Sequence, residues 1–274
     1  MIYNIIIGAL MGIANLIPGV SGGTIALIGG IYDKLINSIS SFTSLKFKKS
    51  GIIFLLEVFV GALAAVFIFS FLIKYSLDNN PSITYGIFSG LVIGSLPLML
   101  GRIKKFSISN LILFIIGLSI IIGISFLEPQ GTNLTNELSH SFSSLVYDIF
   151  AGFIGAASMI LPGLSGSFIL LILNEYERVI NSISNVDIVI LIFFAIGVIL
   201  GIVLMSRFLK ILLRKFPTET FSFLFGLMLG SIPNLLSRTG QDKNILLIIA
   251  GIVIGIAVSV LFFYINYRRN SNTK

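Results

Sequence analysis

Two copies of a short motif rich in glycine and serine interrupt otherwise apolar sequence, and their residue types are those of an anion-binding site. The first copy lies in residues 18–24 and the second in residues 162–168. A glycine-rich turn that leads into a helix exposes backbone N–H groups and the positive end of the helix dipole, and both attract anions. Hydroxyl side chains add hydrogen-bond donors. The candidate anion-binding residues are Gly19, Ser21, Gly22, Gly23 and Thr24 in the first copy and Gly163, Ser165, Gly166 and Ser167 in the second.

The motifs belong to a longer internal repeat. Thirteen of the 23 residues in the segment 18–40 recur unchanged in the segment 162–184, at an offset of 144 positions. An alternative interpretation is that proline and glycine merely bend the chain and that small residues let helices pack closely. Hydroxyl groups are not needed for bending, so their presence in both copies favours anion binding.

An acidic and a basic residue follow each motif and give further candidates. Asp33 and Lys34 in the first copy match Glu177 and Arg178 in the second. Residues at i and i+1 do not face each other on a helix, so a salt bridge within each pair is not expected. Arg178 is the candidate for a first contact with the anion. The alternative is that each pair marks where the chain reaches the membrane interface.

Four acidic residues are candidates for coupling to a proton or another ion: Asp33, Glu57, Glu175 and Glu177. Asn174 and Glu175 form a polar pair that has no counterpart in the first copy, where Gly30 and Ile31 stand. Glu57 lies inside an apolar run, and acids inside a membrane are costly and often functional. The alternative for Glu57 is that it reaches water near the start of its helix.

The composition places these motifs in a membrane protein. Hydrophobic residues make up 56% of the chain and charged residues only 11%, and several apolar runs approach the ~20 residues that span a bilayer. Cysteine is absent and His140 is the only histidine, which leaves too few ligands for zinc, haem or an iron–sulfur cluster, so no cofactor is expected. The net charge of +7 does not indicate nucleic acid, because basic residues of membrane proteins concentrate in cytoplasmic loops.

Six apolar runs are long enough, or nearly so, to cross a bilayer as helices that rise ~1.5 Å per residue. They are residues 52–73, 83–100, 108–127, 188–209, 221–236 and 245–264. Each motif lies between two apolar arms of roughly 15 residues, neither of which spans a bilayer alone. The sequence therefore predicts a re-entrant hairpin or a discontinuous helix around each motif, which membranes tolerate only where the irregular backbone is buried in protein or lines a cavity.

The duplication extends over the whole half of the chain. Gly61 and Pro81 recur as Gly197 and Pro217, at an offset of 136 positions. Each half comprises a broken segment and three spans, and an odd number of crossings turns the second half upside down. The predicted fold is an all-α polytopic membrane protein of two inverted repeats. The expected divisions are residues 1–127 for the first repeat with its re-entrant segment at 2–40, 128–148 for an external linker, 149–266 for the second repeat with its re-entrant segment at 149–184, and 267–274 for a cytoplasmic tail.

The distribution of basic residues predicts the orientation. If the loop that contains Lys48 is cytoplasmic, thirteen Lys and Arg residues lie inside and four lie outside, with Lys34 left in the hairpin. This excess satisfies the positive-inside rule. The linker from residue 128 to residue 148 carries acids and His140 but neither Lys nor Arg, as an external loop should. Both termini are then expected in the cytoplasm.

The chain resembles the PopT family of bacterial polyprenyl-phosphate transporters. The motifs that carry the resemblance are GIANLIPGVSGGT, from Gly12 to Thr24, and its second copy SMILPGLSGS, from Ser158 to Ser167, and the resemblance covers nearly the entire chain. The resemblance implies a non-enzymatic translocase in the bacterial cytoplasmic membrane. It also implies return of undecaprenyl phosphate, the lipid carrier of peptidoglycan precursors, from the outer to the inner leaflet. The family motif maps onto Asn15 and onto residues 18–24 and 162–167 as the headgroup site. The implied partner is therefore a lipid phosphate.

Three alternatives remain open from the residues. An undecaprenyl-pyrophosphate phosphatase of the BacA type would need an arginine after the motif serine, where Gly22 and Gly166 stand, and a Glu-x-x-Glu pair, whose spacing Glu175 and Glu177 do not have. Hydrolysis requires such positioned groups. A transporter of a soluble anion and a structural scaffold are the other two readings. For a translocase, rocking of one repeat against the other would expose the site to each leaflet in turn.

Overall fold

The computed structural model describes residues 1–17, 19–44, 48–104, 107–127, 139–239 and 244–271, and this part of the chain is helical without strands. Pro18, Lys46, Lys105, Lys243, Lys274 and the linker residues 128–138 lie outside the described residues. The α-helices are α1 (Ile2–Asn15), α2 (Gly22–Ile28), α3 (Tyr32–Ser40), α4 (Lys49–Asn79), α5 (Pro81–Leu100), α6 (Ile108–Phe126), α7 (Phe142–Ile160), α8 (Gly166–Ile172), α9 (Tyr176–Ser184), α10 (Ile188–Lys215), α11 (Pro217–Ser237) and α12 (Ile245–Ser271).

Seven helices in the described part are long and apolar enough to cross a membrane, namely α4, α5, α6, α7, α10, α11 and α12. Six of them confirm the six predicted spans. The seventh, α7, was expected to be an arm too short to cross. It begins at Phe142, where the Ser141 Oγ accepts a hydrogen bond from the Ser144 N–H, and its 19 residues measure about 28 Å. The expected boundary at residue 149 therefore falls within this helix.

Each broken segment contains three helices rather than two arms. After the first motif the chain forms α2, of seven residues, and α3, of nine, and α8 and α9 repeat these lengths after the second. Gly30 separates the first pair with a φ of 64°, and Asn174 separates the second pair with a φ of 58°. Left-handed backbone ends a helix, so the expected continuous arm of about 15 residues is interrupted at these two positions.

The helices pack in matching pairs. α1 packs against α4 as α7 packs against α10, whereas α5 packs against α12 and α11 packs against α6, so each half contributes a helix to the other. Glycine allows backbone contact in equivalent pairs: Gly61 meets the Ile5 carbonyl, and Gly197 meets the Ile149 carbonyl. Small residues are the usual means of close helix packing in membranes. Most side chains in the apolar windows of α4, α6, α10 and α12 are not buried in the protein, which leaves them for lipid.

The central helices α5 and α11 run antiparallel. The Ser82 hydroxyl at the start of α5 donates to the Thr239 carbonyl beyond the end of α11, at 3.2 Å. At the opposite end, the Arg102 guanidinium beyond α5 lies 5.5 Å from the centre of the Phe221 ring at the start of α11. The two helices, with 20 and 21 residues, are about 30 Å long. They form the support on which the two motif turns lie.

Candidate functional site

The two motif turns are in direct contact with each other. The Ser21 hydroxyl donates to the Leu161 carbonyl at 2.9 Å, and the Gly163 N–H donates to the Thr24 Oγ1 at 3.1 Å. The Tyr32 hydroxyl donates to the Ile160 carbonyl at 3.2 Å. The structure thus brings together the two motifs that the sequence singled out.

Both turns depend on glycine and both pack against α11. The φ angles of Gly19 and Gly163 are 91° and 88°, a region that side chains with a Cβ atom rarely adopt. A Cβ atom at Gly163 would lie 2.7 Å from backbone atoms of Met228, and one at Gly19 would lie 3.4 Å from the Asn234 Oδ1. Both turns are therefore held against α11.

In the first motif, the predicted binding residues are largely engaged in holding the turn. The buried Ser21 Oγ accepts from the Gly23 N–H at 3.1 Å, while its single proton is donated to the carbonyl across the interface. The Asn15 Oδ1 accepts from the Gly22 N–H at 3.2 Å. Thr24 is buried and accepts from the second motif. A ligand would have to replace these bonds to use the same groups.

The second motif differs in its hydroxyl pairing. The Ser165 Oγ and the Ser167 Oγ share one hydrogen bond of 2.8 Å, in which either can be the donor. Two hydroxyls carry two protons, so one proton of this pair is not used in that bond and can be donated to an anion. Gly166 packs against Met159, which stands where Asn15 stands in the first copy. The second motif therefore has a hydroxyl proton that no bond between the turns uses.

Arg178 is buried in a cluster with two acids. Its Nε donates to the Asp148 Oδ1 at 2.8 Å, and its Nη2 donates to the Asp148 Oδ2 at 3.0 Å. The same Nη2 also donates to the Ser139 carbonyl at 2.7 Å, and the Glu175 Oε2 lies 3.6 Å from the Nε. Such a bidentate Arg–carboxylate pair is among the stronger ion pairs in proteins.

This cluster is distant from the motif turns. Asp148 lies near the start of α7, and the second motif turn follows the end of α7. Asp148 and this turn are therefore about 18 Å apart along the helix. The structure does not place the predicted contact Arg178 beside the other predicted binding residues. Glu175 lies between α8 and α9, outside the seven candidate spans. Burial of Glu175, followed by the charge of Asp148, raises the pKa of the Glu175 carboxyl group to about 7, although Arg178 opposes the shift.

The other predicted coupling residues have separate environments. Asp33 forms a half-exposed ion pair with Arg102, with Oδ2 and Nη2 3.1 Å apart. The Glu57 Oε2 accepts from the Asn4 Nδ2 at 2.6 Å. Glu177 is exposed. The four acids are therefore not brought into one group.

Two arginines that the sequence analysis used only for orientation occupy equivalent positions. Arg102 follows α5 and Arg238 follows α11, at the offset of 136 that relates the two halves. The Arg238 guanidinium lies 5.4 Å from the centre of the Phe168 ring, and its Nε donates to the Asn234 Oδ1 at 3.3 Å. The repeat offset was the signal that could have found them. Asp148 was missed as well, although an acid in an apolar helix is itself a signal.

Residues 11–245 match the sequence profile of the VCA0040-like family, described as undecaprenyl phosphate translocase-like. The chain belongs to this family. It is 35% identical over 240 residues to a polyprenyl-phosphate transporter of Vibrio cholerae serotype O1, an alignment that covers 83% of this chain and 75% of the relative. It is 33% identical over 238 residues to a polyprenyl-phosphate transporter of Staphylococcus aureus, covering 84% of each chain. No solved structure matches the chain significantly.

Membership of the VCA0040-like family confirms the resemblance inferred from the motif residues. The match covers both motif turns and the helices that support them. The two relatives carry the name of transporters and not of hydrolases, which agrees with the expectation of a non-enzymatic protein. Among the described residues, no group of three or more His, Cys, Asp or Glu side chains could hold a metal ion.

Proposed function

We propose that this protein is a translocase that moves undecaprenyl phosphate, or a related polyprenyl phosphate, from the outer to the inner leaflet of the bacterial cytoplasmic membrane. Family membership and the names of the two relatives support the lipid class. The direction serves recycling, because the carrier lipid is left on the outer side once its precursor has been delivered. The protein would thereby supply the lipid again for peptidoglycan synthesis.

The observation that carries the proposal is the contact between the two motif turns. Two duplicated, polar backbone breaks meet near the centre of an apolar molecule, where a phosphate headgroup must cross. The headgroup has a charge of about −1.5 to −2 near neutral pH, and each charge-assisted hydrogen bond contributes roughly 1.5 to 3 kcal/mol. A few donors therefore offset much of the cost of moving it inward. Because α2 and α8 have only seven residues each, we assign more of the binding to hydroxyl and N–H groups than to helix dipoles.

The donor most suited to the headgroup is the pair Ser165 and Ser167. One of its two protons is not used within the pair, and Ser167 is only half-buried. Backbone N–H groups complete the proposed headgroup site, and they belong to Gly19, Gly22, Gly23, Gly163 and Gly166. The side chains of Asn15, Ser21 and Thr24 join the site when the hydrogen bonds between the turns open. An anion would compete with the Leu161 carbonyl for the Ser21 proton.

We also propose that the two halves are inverted repeats and that both termini are cytoplasmic. The exchange of α6 and α12 between the halves and the equivalent glycine contacts support a two-fold relation. The excess of basic residues on one side supports the orientation. Movement of α5 against α11 would then expose the turns to each leaflet in turn.

Among the four candidate coupling acids, Glu175 is the one we favour. It lies against a buried ion pair, and its pKa of about 7 allows a change of charge near neutral pH. Asp33, Glu57 and Glu177 are paired elsewhere or exposed. Arg178, proposed from the sequence as a first contact for the phosphate, would have to leave Asp148 to fill that role.

The experiment is a flip-flop assay with a fluorescent short-chain polyprenyl phosphate in proteoliposomes, with free phosphate measured in parallel. We expect movement without phosphate release. Ser165→Ala/Ser167→Ala should slow movement at least about tenfold, because the loss of one charge-assisted hydrogen bond costs roughly 1.5 to 3 kcal/mol. Ser143→Ala, which removes an exposed hydroxyl on α7, is the matched control and should match the wild type. Absence of movement in the wild type, or release of phosphate from the pyrophosphate form of the lipid, would overturn the proposal.

A further inference from the structure

A cavity with two polar side chains in an otherwise apolar wall lies beyond the end of α5, beside Arg102. Its volume is about 420 Å³, and among its lining residues are Leu27, Gly30, Pro97, Arg102, Phe263 and Asn266. The Asn266 amide lies against Gly30, and its buried Oδ1 has no hydrogen-bond partner within the described residues. A buried amide oxygen that lacks a partner indicates a place for a hydrogen-bond donor, and the remaining P–OH group of a singly ionised phosphate is such a donor.

A second, more apolar cavity is lined by residues close to the same arginine in the chain. Leu100 and Ile103, which flank Arg102 closely in the chain, line a space of about 580 Å³ with Leu111, Phe114 and Phe225. Phe221, against which the guanidinium lies, is followed by Ser222, another lining residue of this cavity. Arg102 therefore lines one cavity and is a close neighbour in the chain of residues that line a second, more apolar one. That arrangement matches an amphiphile with an anionic head and a hydrocarbon chain.

The opposite end of the α5–α11 pair has an equivalent cation. Arg238 packs on Phe168 of the second broken segment and hydrogen-bonds to Asn234. Asn234 in turn lies beside the first motif turn, close to Gly19. Arg102 lies beside the first broken segment through Asp33 and Gly30. Each end of the central helix pair thus joins one arginine to a broken segment.

We propose that Arg102 and Arg238 are two phosphate contacts at the two ends of the path, each receiving the lipid headgroup from one leaflet before it reaches the motif turns. This rests on the proposed function and adds two binding residues to it. At Arg102 the phosphate displaces Asp33 from the guanidinium, and the first isoprene units enter the apolar cavity. Arginine suits this role because its planar fork of donors pairs with phosphate oxygens.

The test measures the apparent KM of the labelled lipid presented separately to each leaflet, in proteoliposomes with a uniform protein orientation. Arg102→Met should raise the KM about tenfold or more at its own end, as expected for a lost charge-assisted bond, and by less than about twofold at the other. Arg238→Met should do the reverse. The matched controls are Arg207→Met and Lys74→Met, which remove exposed cations on α10 and α4. Variants Arg102→Gln and Arg102→Lys guard against a failure of folding, and the lysine, which keeps the charge but not the planar fork, should lose less affinity than the glutamine.

The Asp33→Asn variant separates binding from structure. If phosphate competes with Asp33 for Arg102, removal of the acid should lower the KM at that end about two- to fivefold, the strength of an exposed ion pair. If the pair is merely structural, Asp33→Asn and Arg102→Met should change the KM in the same direction, and the proposal is wrong. KM values like those of the control variants at both ends would also overturn it.

The two proposals fail in different ways. A wild type that moves no lipid contradicts the proposed function, and the arginines are then tested by equilibrium binding of the same lipid in nanodiscs. Weaker binding in Arg102→Met and Arg238→Met than in the two controls would still support the contacts. A wild type that moves lipid, with arginine variants that behave like the controls, would refute the arginine contacts alone.

Discussion

Replacing Asp148 by Asn is expected to destabilise the protein strongly. The substitution removes the carboxylate that pairs with Arg178 through two hydrogen bonds of 2.8 and 3.0 Å, and both side chains are buried. Breaking such a pair costs about 3–5 kcal/mol, because the remaining charge stays buried without compensation. Glu175, 3.6 Å from the Arg178 Nε, can take over part of the interaction. We therefore expect the lower end of that range, about 3 kcal/mol.

The measurement is thermal unfolding in detergent, followed by far-ultraviolet circular dichroism. A loss of about 3 kcal/mol corresponds to a fall in Tm of roughly 6–12 °C, at about 2–4 °C per kcal/mol. The matched control is Asp187→Asn, which neutralises the acid of the partly exposed His140–Asp187 pair and should cost less than about 1 kcal/mol. A double variant, Asp148→Leu/Arg178→Met, should recover most of the loss at pH 5, where Glu175, which loses its cation, is protonated and no unpaired charge remains.

The reasoning is refuted if Asp148→Asn shifts the Tm no more than Asp187→Asn, or if the double variant is less stable than Asp148→Asn. The double variant also tests the role of Arg178. A folded double variant that still moves lipid would show that Arg178 positions α9 against α7. A folded double variant without transport would support the role of Arg178 as a phosphate contact.

Two further predictions concern pH and helix packing. The pKa of Glu175 is raised in the folded state, so the contribution of its protonated form to stability is present below about pH 4.5 and is lost as the pH rises through about 7. Glu175→Gln should therefore raise the Tm relative to the wild type at pH 8 and leave the Tm unchanged near pH 4. An equal difference in Tm at both pH values would contradict this cause. Gly197→Leu should prevent α7 from packing against α10, because the added side chain meets the Ile149 carbonyl. Gly123→Ala on α6 should be tolerated, because nothing lies within 4 Å of the added Cβ atom. Fluorescence-detected size-exclusion chromatography of both variants tests this, and a monodisperse Gly197→Leu peak at wild-type yield would contradict the prediction.

The sequence was sufficient for the features that depend on hydropathy and on internal comparison. Six of the spans could be predicted because helices that face lipid must be apolar along their length. The motif turns could be predicted because the apolar sequence contains glycine and proline in two equivalent places, and a simple span needs neither. The contact between the turns could be expected only by analogy with transporters in which inverted repeats bring two half-helices together.

Features that depend on side-chain partners could not be read from the sequence. The pairing of Arg178 with Asp148 joins residues on different helices, and no periodicity links them. The interruption at Asn174 was missed because asparagine, unlike glycine, is not an obvious breaker, although it tolerates left-handed backbone. The interruption at Gly30 could have been predicted from the two consecutive glycines, Gly29 and Gly30. The full length of α7 was missed because its first turn, beside Ser141, contains polar residues.

The duplication has allowed the two motifs to diverge in their use of hydroxyl groups. In the first copy Ser21 and Thr24 bond to the partner motif, and Asn15 holds the Gly22 N–H. In the second copy Phe168 stands where Thr24 stands in the first, so that bond has no counterpart there, and the hydroxyl pair of Ser165 and Ser167 retains a proton. A site that must bind and then release a headgroup benefits from this division, because bonds that hold the turns together need not break each time the headgroup leaves. Under the proposed function, this asymmetry would let one copy stabilise the break while the other contacts the substrate.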